Sequence, residues 1–223
     1  MASHLDLEEQ EQLDELKHFW QRWGDLITWG LIAVLGGYAA WMGWQSYQGK
    51  QAAQSAALYD TVERAALSGD IALLDRSVTD IKDKFASTTY AQQAALLAAR
   101  VYQEKDRKPD AKVQLTWVVD KASDEGYQAL ARLRLAALLI EDKAYDEARK
   151  QLSAKTPEAF APLMADRLGD MAMLQAQPVE AVQHYKNAWK GFEPNAEYRR
   201  LVAVKLAALG ADPEDTPAVE SKK

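Results

Sequence analysis

An uninterrupted apolar run from Leu26 to Trp44 constrains the fold of this chain more than any other feature. No Asp, Glu, Lys or Arg occurs between Asp25 and Lys50. At about 1.5 Å of rise per helical residue, a run of this length spans roughly the hydrocarbon core of a bilayer. The run therefore predicts one transmembrane helix, with 26–46 as its bounds, and a chain tethered to a lipid bilayer.

Tryptophan marks both ends of this run. Five of the seven tryptophans lie in it or beside it, namely Trp20, Trp23, Trp29, Trp41 and Trp44. Indole prefers the membrane interface, where the ring is half-buried and its N–H stays hydrated. We therefore expect the interfaces at Trp20, Trp23 and Leu26 on one side and at Trp41 and Trp44 on the other. A core helix of a soluble domain is the alternative, but it does not need so long an uncharged run.

The same run could instead belong to a cleaved signal peptide. Such peptides begin with a basic region and have an apolar core of about 7–15 residues. Here residues 1–25 hold seven acidic and two basic side chains, a net charge of −5. An uncleaved signal anchor behind a short acidic N-terminal segment, 1–25, fits these residues better.

The charges that flank the run decide little about orientation. Lys17 and Arg22 precede it, and Lys50 and Arg64 follow it. The positive-inside rule compares basic residues near the two ends, so it hardly discriminates here. A short N-terminus before a large domain favours a cytoplasmic N-terminus, because long domains cross largely regardless of charge.

Composition and motifs exclude several functions. Residues 26–223 carry a net charge of −1 without a basic patch, which argues against nucleic-acid binding. Cysteine is absent, so neither a disulfide nor a thiol nucleophile can form. His4, His18 and His184 are scattered, and nucleophile-elbow, P-loop and His-Glu-x-x-His patterns do not occur. We expect a non-enzymatic protein without a cofactor, a metal or a small-molecule substrate.

Beyond Lys50 the sequence predicts helices with short breaks between them. Ala, Leu, Glu, Lys, Gln and Arg dominate, and all favour helix. The predicted helices cover 51–67, 71–85, 89–104, 109–121, 127–141, 145–154, 157–174, 178–192 and 197–209. Pro109, Pro157 and Pro178 fall at helix starts, where the missing N–H is not needed. We assign 47–210 to one helical domain and 211–223, rich in Pro, Glu, Ser and Lys, to a disordered tail.

A repeat links three successive helix pairs of this domain. Ala111, Ala148 and Ala181 are separated by 37 and 33 residues, close to the roughly 34-residue tetratricopeptide period. Small residues occupy two columns of the repeat: Ala99 and Ala111, Ala136 and Ala148, Gly169 and Ala181. They let helix A approach helix B, while larger residues four positions later fill the gap. The fold predicted is all-α, a single N-terminal transmembrane helix followed by a tetratricopeptide-like α-solenoid of helical hairpins.

Two further surfaces follow from this pattern. Solenoids bind partners across a concave face, and the helix A positions expected there include Gln93, Leu96, Arg100, Gln103, Leu130, Asp166 and Asp170. That mixed surface suits an extended peptide or a partner helix, and it lacks the Lys/Arg carboxylate clamp typical of chaperone-tail binders. Within the apolar run, small residues recur at four-residue spacing, which permits packing against another transmembrane helix. They are Ala33, Gly36, Gly37, Ala40 and Gly43; a plain anchor is the alternative.

Three segments together resemble a known family. The first is Asp14–Trp20 leading through Gly24 to Gly43–Tyr47, and the second is Ala56–Tyr59. The third is Ala165–Asp170, with Leu133–Ala136 one repeat earlier. In order and spacing they resemble the YfgM family of ancillary SecYEG translocon subunits, over about residues 8 to 210.

This resemblance implies a bacterial inner-membrane protein with a cytoplasmic N-terminus and a periplasmic solenoid. It implies two partners, the SecYEG translocon and a PpiD-like membrane-anchored chaperone, and a role in passing newly translocated proteins to periplasmic folding factors. It implies no catalytic residues. Two alternatives remain, a membrane-tethered scaffold for another cell-envelope complex (envelope assembly or division) and a membrane-anchored hydrolase that uses scattered carboxylates.

Overall fold

The computed structural model describes residues 7–214, in which the regular secondary structure is helical and no strand occurs. The α-helices in this part of the chain are α1 (Leu7–Ser68), α2 (Ile71–Phe85), α3 (Thr89–Glu104), α4 (Lys108–Lys121), α5 (Glu125–Glu141), α6 (Tyr145–Leu152), α7 (Ala161–Leu174), α8 (Pro178–Gly191) and α9 (Glu197–Ala208). Two compact units divide between Ala53 and Gln54. The all-α prediction is confirmed, whereas most of the predicted tail, 215–223, lies outside the described residues.

The N-terminal unit contains the apolar run. An 18-residue window of this helix has a mean hydropathy of 1.5, and none of the window is buried. It is the one helix of residues 7–214 that is long and apolar enough to cross a membrane. The sequence predicts a separate helix from Gln51, but α1 continues to Ser68 without a break. No proline interrupts α1. Gly49 lies inside the helix and does not end it, since one glycine costs a helix only about 1 kcal/mol relative to alanine.

The C-terminal unit is a series of helices in which each packs against its neighbours in sequence. The contacts run from α2 through α3, α4, α5, α6 and α7 to α8 and α9. Its core is built from alanine, leucine and valine, with Val62, Leu74, Ile81, Leu115 and Leu138 almost fully buried. The buried apolar residues form two clusters, a large one from the end of α1 to α7 and a small one between α7, α8 and α9.

The same C-terminal turn ends the first helix of every pair. One or two residues past the end of the helix, the chain has a positive φ at Gly69, Asp106, Lys143 and Ala176 (69°, 56°, 59° and 55°). The next N–H donates to a carbonyl five residues back, from Asp70 to Ala65, Arg107 to Tyr102, Ala144 to Leu139 and Gln177 to Ala172. This is the Schellman arrangement. Its recurrence adds the hairpin of α1 and α2, which lies outside the predicted repeat, to the three pairs with matching columns.

Two prolines begin helices as predicted and one does not. Pro109 and Pro178 lie in the first turns of α4 and α8. After Pro157 a 3₁₀ turn, Glu158–Phe160, comes first, and α7 begins only at Ala161. Pro162 then occupies the first turn of α7, the position where a proline is tolerated.

Candidate protein-docking groove

A groove of about 340 Å³ opens between the end of α1, α3 and α5. We call it the α3–α5 groove and define it by its lining residues, which are Tyr59, Gln93, Leu96, Leu97, Arg100, Tyr127, Leu130 and Arg134. Three leucines and two tyrosines make its surface largely apolar, and two arginines supply its charge. Such a surface has the composition of a peptide-binding site, since aromatic residues and arginine contribute most to protein interfaces.

The tyrosines of the groove are held in place by neighbours. Nε2 of Gln93 donates a hydrogen bond to the Tyr127 hydroxyl at 2.7 Å. The ring of Tyr59 packs at 45° against that of Tyr90, with centroids 5.7 Å apart. Burial, and then the nearby Glu63 carboxylate, raise the pKa of Tyr59, so its hydroxyl is neutral at physiological pH. These contacts give the groove two positioned aromatic surfaces.

The arginines of the groove lie close enough to influence each other. Burial, followed by the charge of Arg100, lowers the pKa of Arg134. Arg100 donates from Nε to Oε1 of Glu104 at 2.8 Å, on an exposed surface where such a pair adds little stability. Arg134 forms no ion pair with any carboxylate among the side chains that the structure describes, those of residues 13 and 16–214.

The residues predicted for a concave face divide between two places. Gln93 and Arg100 lie in the α3–α5 groove, together with Leu96 and Leu130. Gln103 is exposed on α3 but does not line the groove. Asp166 and Asp170 belong to a different cluster, formed by α7, α8 and α9.

The carboxylate of Asp166 does not lie on an open face, which corrects the expectation from sequence. Asp166 is only 1% exposed. Lys205 Nζ donates to both of its oxygens at 2.7 and 2.9 Å, and the Tyr198 hydroxyl donates at 2.9 Å. The amphipathic spacing of α7 could not reveal this, because α9 supplies the two donors from more than thirty residues away.

Asp170 belongs to the same network. It accepts hydrogen bonds on Oδ1 from the Tyr185 hydroxyl at 2.8 Å and from Lys205 at 2.7 Å. Burial lowers the pKa of Lys205, but the bonds to Asp166 and Asp170 outweigh it and raise the pKa above its usual value. This carboxylate–lysine cluster joins three helices and serves packing.

The repeat columns predicted to hold small residues lie in the core. Ala99, Ala111, Ala136, Ala148 and Ala181 are fully buried, each with 0% exposure. Gly169 meets Tyr185 so closely that an added Cβ would lie 2.5 Å from Cε1 of that ring. Small side chains at these positions therefore allow neighbouring helices to approach closely.

The large apolar side chains of the predicted transmembrane segment, 26–46, are exposed, apart from Ile27, which is partly exposed. Trp20, Trp23, Leu26, Trp41 and Trp44 are all between 47% and 66% exposed. Within this unit, an added Cβ at Gly36, Gly37 or Gly43 would meet nothing within 4 Å. Ala33 and Ala40 are exposed as well. Packing against another transmembrane helix stays a prediction for these positions.

Four groove residues were missed from sequence, namely Tyr59, Leu97, Tyr127 and Arg134. Arg134 lies one helical turn after Leu130, which the repeat alignment did place on the concave face. An i, i+4 extension of that face would have found it. Tyr59 and Tyr127 lie at helix positions that the three-pair alignment did not cover, so no spacing pointed to them.

Helical hairpins with a recurrent turn, a lined groove and one apolar N-terminal helix define a helical-repeat scaffold protein with a membrane helix. Residues 17–211 match the family described as a tetratricopeptide repeat-like domain. The chain therefore belongs to this family, the one that contains the YfgM proteins, and the resemblance noted in the sequence is confirmed.

Relatives in three bacteria carry the name ancillary SecYEG translocon subunit. The protein of Neisseria gonorrhoeae is 32% identical over 210 residues, covering 94% of this chain and 100% of the relative. That of Haemophilus influenzae is 27% identical over 182 residues, covering 82% and 89%. That of Escherichia coli K12 is 26% identical over 185 residues, covering 82% and 85%. The likeness thus includes both the apolar helix and the repeat domain.

Proposed function

We propose that this chain is a non-enzymatic adaptor of the SecYEG translocon, held in the bacterial inner membrane by one helix. The observation that supports this most is the similarity to the Neisseria gonorrhoeae relative along that protein's whole length. A relative with this name shares the anchor and the solenoid, so an adaptor role accounts for both. The α3–α5 groove gives such an adaptor a surface for a protein partner.

We further propose that the N-terminus is cytoplasmic and that residues 47–210 form a periplasmic domain. There the domain contacts a PpiD-like chaperone and helps pass newly translocated proteins to folding factors. The short N-terminal segment and the large C-terminal domain support this orientation. A periplasm-active reporter fused after Ser221 is expected to be active. Activity of a cytoplasmic reporter at the same place would reverse the topology.

Purification from native membranes tests the adaptor role. The full chain, tagged at its C-terminus and crosslinked before mild detergent extraction, is expected to recover translocon subunits and a periplasmic chaperone. An unrelated single-pass protein at equal abundance serves as the control. Recovery of division or envelope-assembly proteins without any translocon subunit would support the alternative scaffold and overturn this proposal.

A further inference from the structure

Arg134 is a half-buried cation without a carboxylate partner. Its side chain lines the α3–α5 groove on α5, and no carboxylate among the described side chains, 13 and 16–214, forms an ion pair with it. Taking a guanidinium out of water has a cost that a nearby anion normally offsets. Two other half-buried cations of this domain have such partners, Lys205 with Asp166 and Arg149 with Glu180, whereas Lys82 and Arg132 donate to the amide oxygens of Gln114 and Gln151. Arg134 is thus available to bind an anion that the described part of the chain does not supply.

Arg100 adds a second positive charge to the same groove. Its Nε is bonded to Glu104, and no hydrogen bond from its other two nitrogens occurs within the described chain. Both arginine side chains line the same groove, where burial, followed by repulsion from the charge of Arg100, lowers the pKa of Arg134. An anion bound between them would relieve that repulsion and form charge-assisted hydrogen bonds with planar, bidentate donors.

The remaining surface of the groove is suited to apolar side chains beside that anion. Leu97, Leu130 and the two tyrosines are partly exposed, so they offer apolar contact area. Tyr127 is already bonded to Gln93, and Tyr59 interacts with Glu63 outside the groove. The groove therefore combines apolar surface with two cations, which fits an acidic and apolar peptide better than a purely polar ligand.

We propose that the α3–α5 groove binds an extended segment of a partner protein in which an aspartate or glutamate stands among apolar residues. Arg134 binds the carboxylate, Arg100 adds a second contact, and Tyr59, Tyr127 and Leu130 receive the apolar side chains. This inference rests on the proposed adaptor role, because it assigns the partner chemistry of the solenoid.

Fluorescence anisotropy of the full chain in detergent micelles tests this assignment. The probe is a short fluorescein-labelled peptide of alternating leucine and glutamate, compared with leucine–glutamine and leucine–lysine peptides of equal length. We expect the glutamate peptide to bind most tightly. Arg134→Gln is expected to weaken its binding by about tenfold, since a charge-assisted contact is lost. Arg76→Gln on α2 removes an equal charge from an exposed site outside the groove and is expected to leave binding unchanged.

A charge reversal keeps the test independent of folding. Arg134→Glu is expected to shift the preference from the glutamate to the lysine peptide, and helix content by circular dichroism should match that of the parent chain. Equal binding of the three peptides, or equal losses for Arg76→Gln and Arg134→Gln, would overturn the assignment. So would concentration-dependent dimerisation that Arg134→Gln abolishes, because a second copy would then occupy the groove. Recovery of translocon subunits is measured in the separate purification experiment. A failure to recover them would count against the adaptor role alone.

Discussion

The ring of Tyr185 packs directly on the backbone of Gly169. A Cβ at Gly169 would lie 2.5 Å from Cε1 and 2.6 Å from Cδ1 of that ring. The ring cannot move easily, because its hydroxyl donates to Asp170 and Lys205 Nζ lies 5.1 Å from its centroid. This contact sets the distance between α7 and α8.

The first prediction concerns Gly169→Ala. In an open helix this change stabilises by about 1 kcal/mol. Here we expect a net destabilisation of about 1–3 kcal/mol, because the added methyl group overpacks a site with no free space. Urea unfolding of the full chain in detergent, monitored by circular dichroism, measures this change in the free energy of unfolding. In a Tyr185→Ala background the same change should cost far less; an equal cost would refute the role of the ring.

Part of this fold could be predicted from sequence because its signals are local. The spacing of Ala111, Ala148 and Ala181 gave the repeat, and helix-forming residues with prolines at the breaks gave most helix bounds. The turns after α3, α5 and α7 could not be recognised, since Asp106, Lys143 and Ala176 replace the glycine that normally marks them. Asp166 was misplaced for another reason: its partners on α9 are distant in sequence, and only packing brings them together.

The α3–α5 groove, like the fold, could be predicted only in part. Gln93, Arg100, Leu96 and Leu130 followed from the helix A register. The charge of the groove did not follow from that register, because Arg134 lies outside the matched columns. Its lack of a carboxylate partner depends on how the helices pack. A sequence shows which cations exist, but only the fold shows which ones remain without an anion.

The second prediction concerns the buried pair of Asp166 and Lys205. Lys205→Met is expected to destabilise the domain by about 3–5 kcal/mol, because it leaves a buried carboxylate without its cation. Asp166→Leu combined with Lys205→Met should recover a large part of that loss, since two apolar side chains need no counter-ion. Urea unfolding of the single and double variants gives the coupling. Additive losses would mean that the two residues do not act as a pair.

The third prediction is a loss of stability in alkaline solution. Burial, and then hydrogen bonds to Asp170 and Asp166, raise the pKa of Tyr185 and of Tyr198. The pKa of Lys205 is also raised, by the same two carboxylates. The folded state therefore holds these protons more tightly than the unfolded state, so their contribution is complete below their ordinary pKa values. It is lost as the pH rises above about 10 and passes through the raised values.

Thermal unfolding of the full chain at increasing alkaline pH measures this effect. Tyr198→Phe removes one of the three titrating groups, so its melting temperature should fall less steeply with pH than that of the parent chain. Tyr145→Phe, on a tyrosine outside this cluster, is the matched control and should leave the slope unchanged. A parent melting temperature that rises with pH in this range would contradict the assignment.

The last prediction concerns the turn that ends α7. Ala176 has a φ of 55°, a left-handed conformation in which a Cβ meets the neighbouring carbonyl, at a cost of about 1–2 kcal/mol. Gly69 occupies the same place after α1 without that cost. Ala176→Gly removes this cost, but glycine also raises the entropy of the unfolded chain. The free energy of unfolding is therefore expected to rise by only about 0.5–1 kcal/mol. Ala176→Val should destabilise, because a β-branched residue is least tolerated at positive φ. Urea unfolding of both variants checks the pair, and a glycine variant less stable than the parent would show that this turn is not under strain.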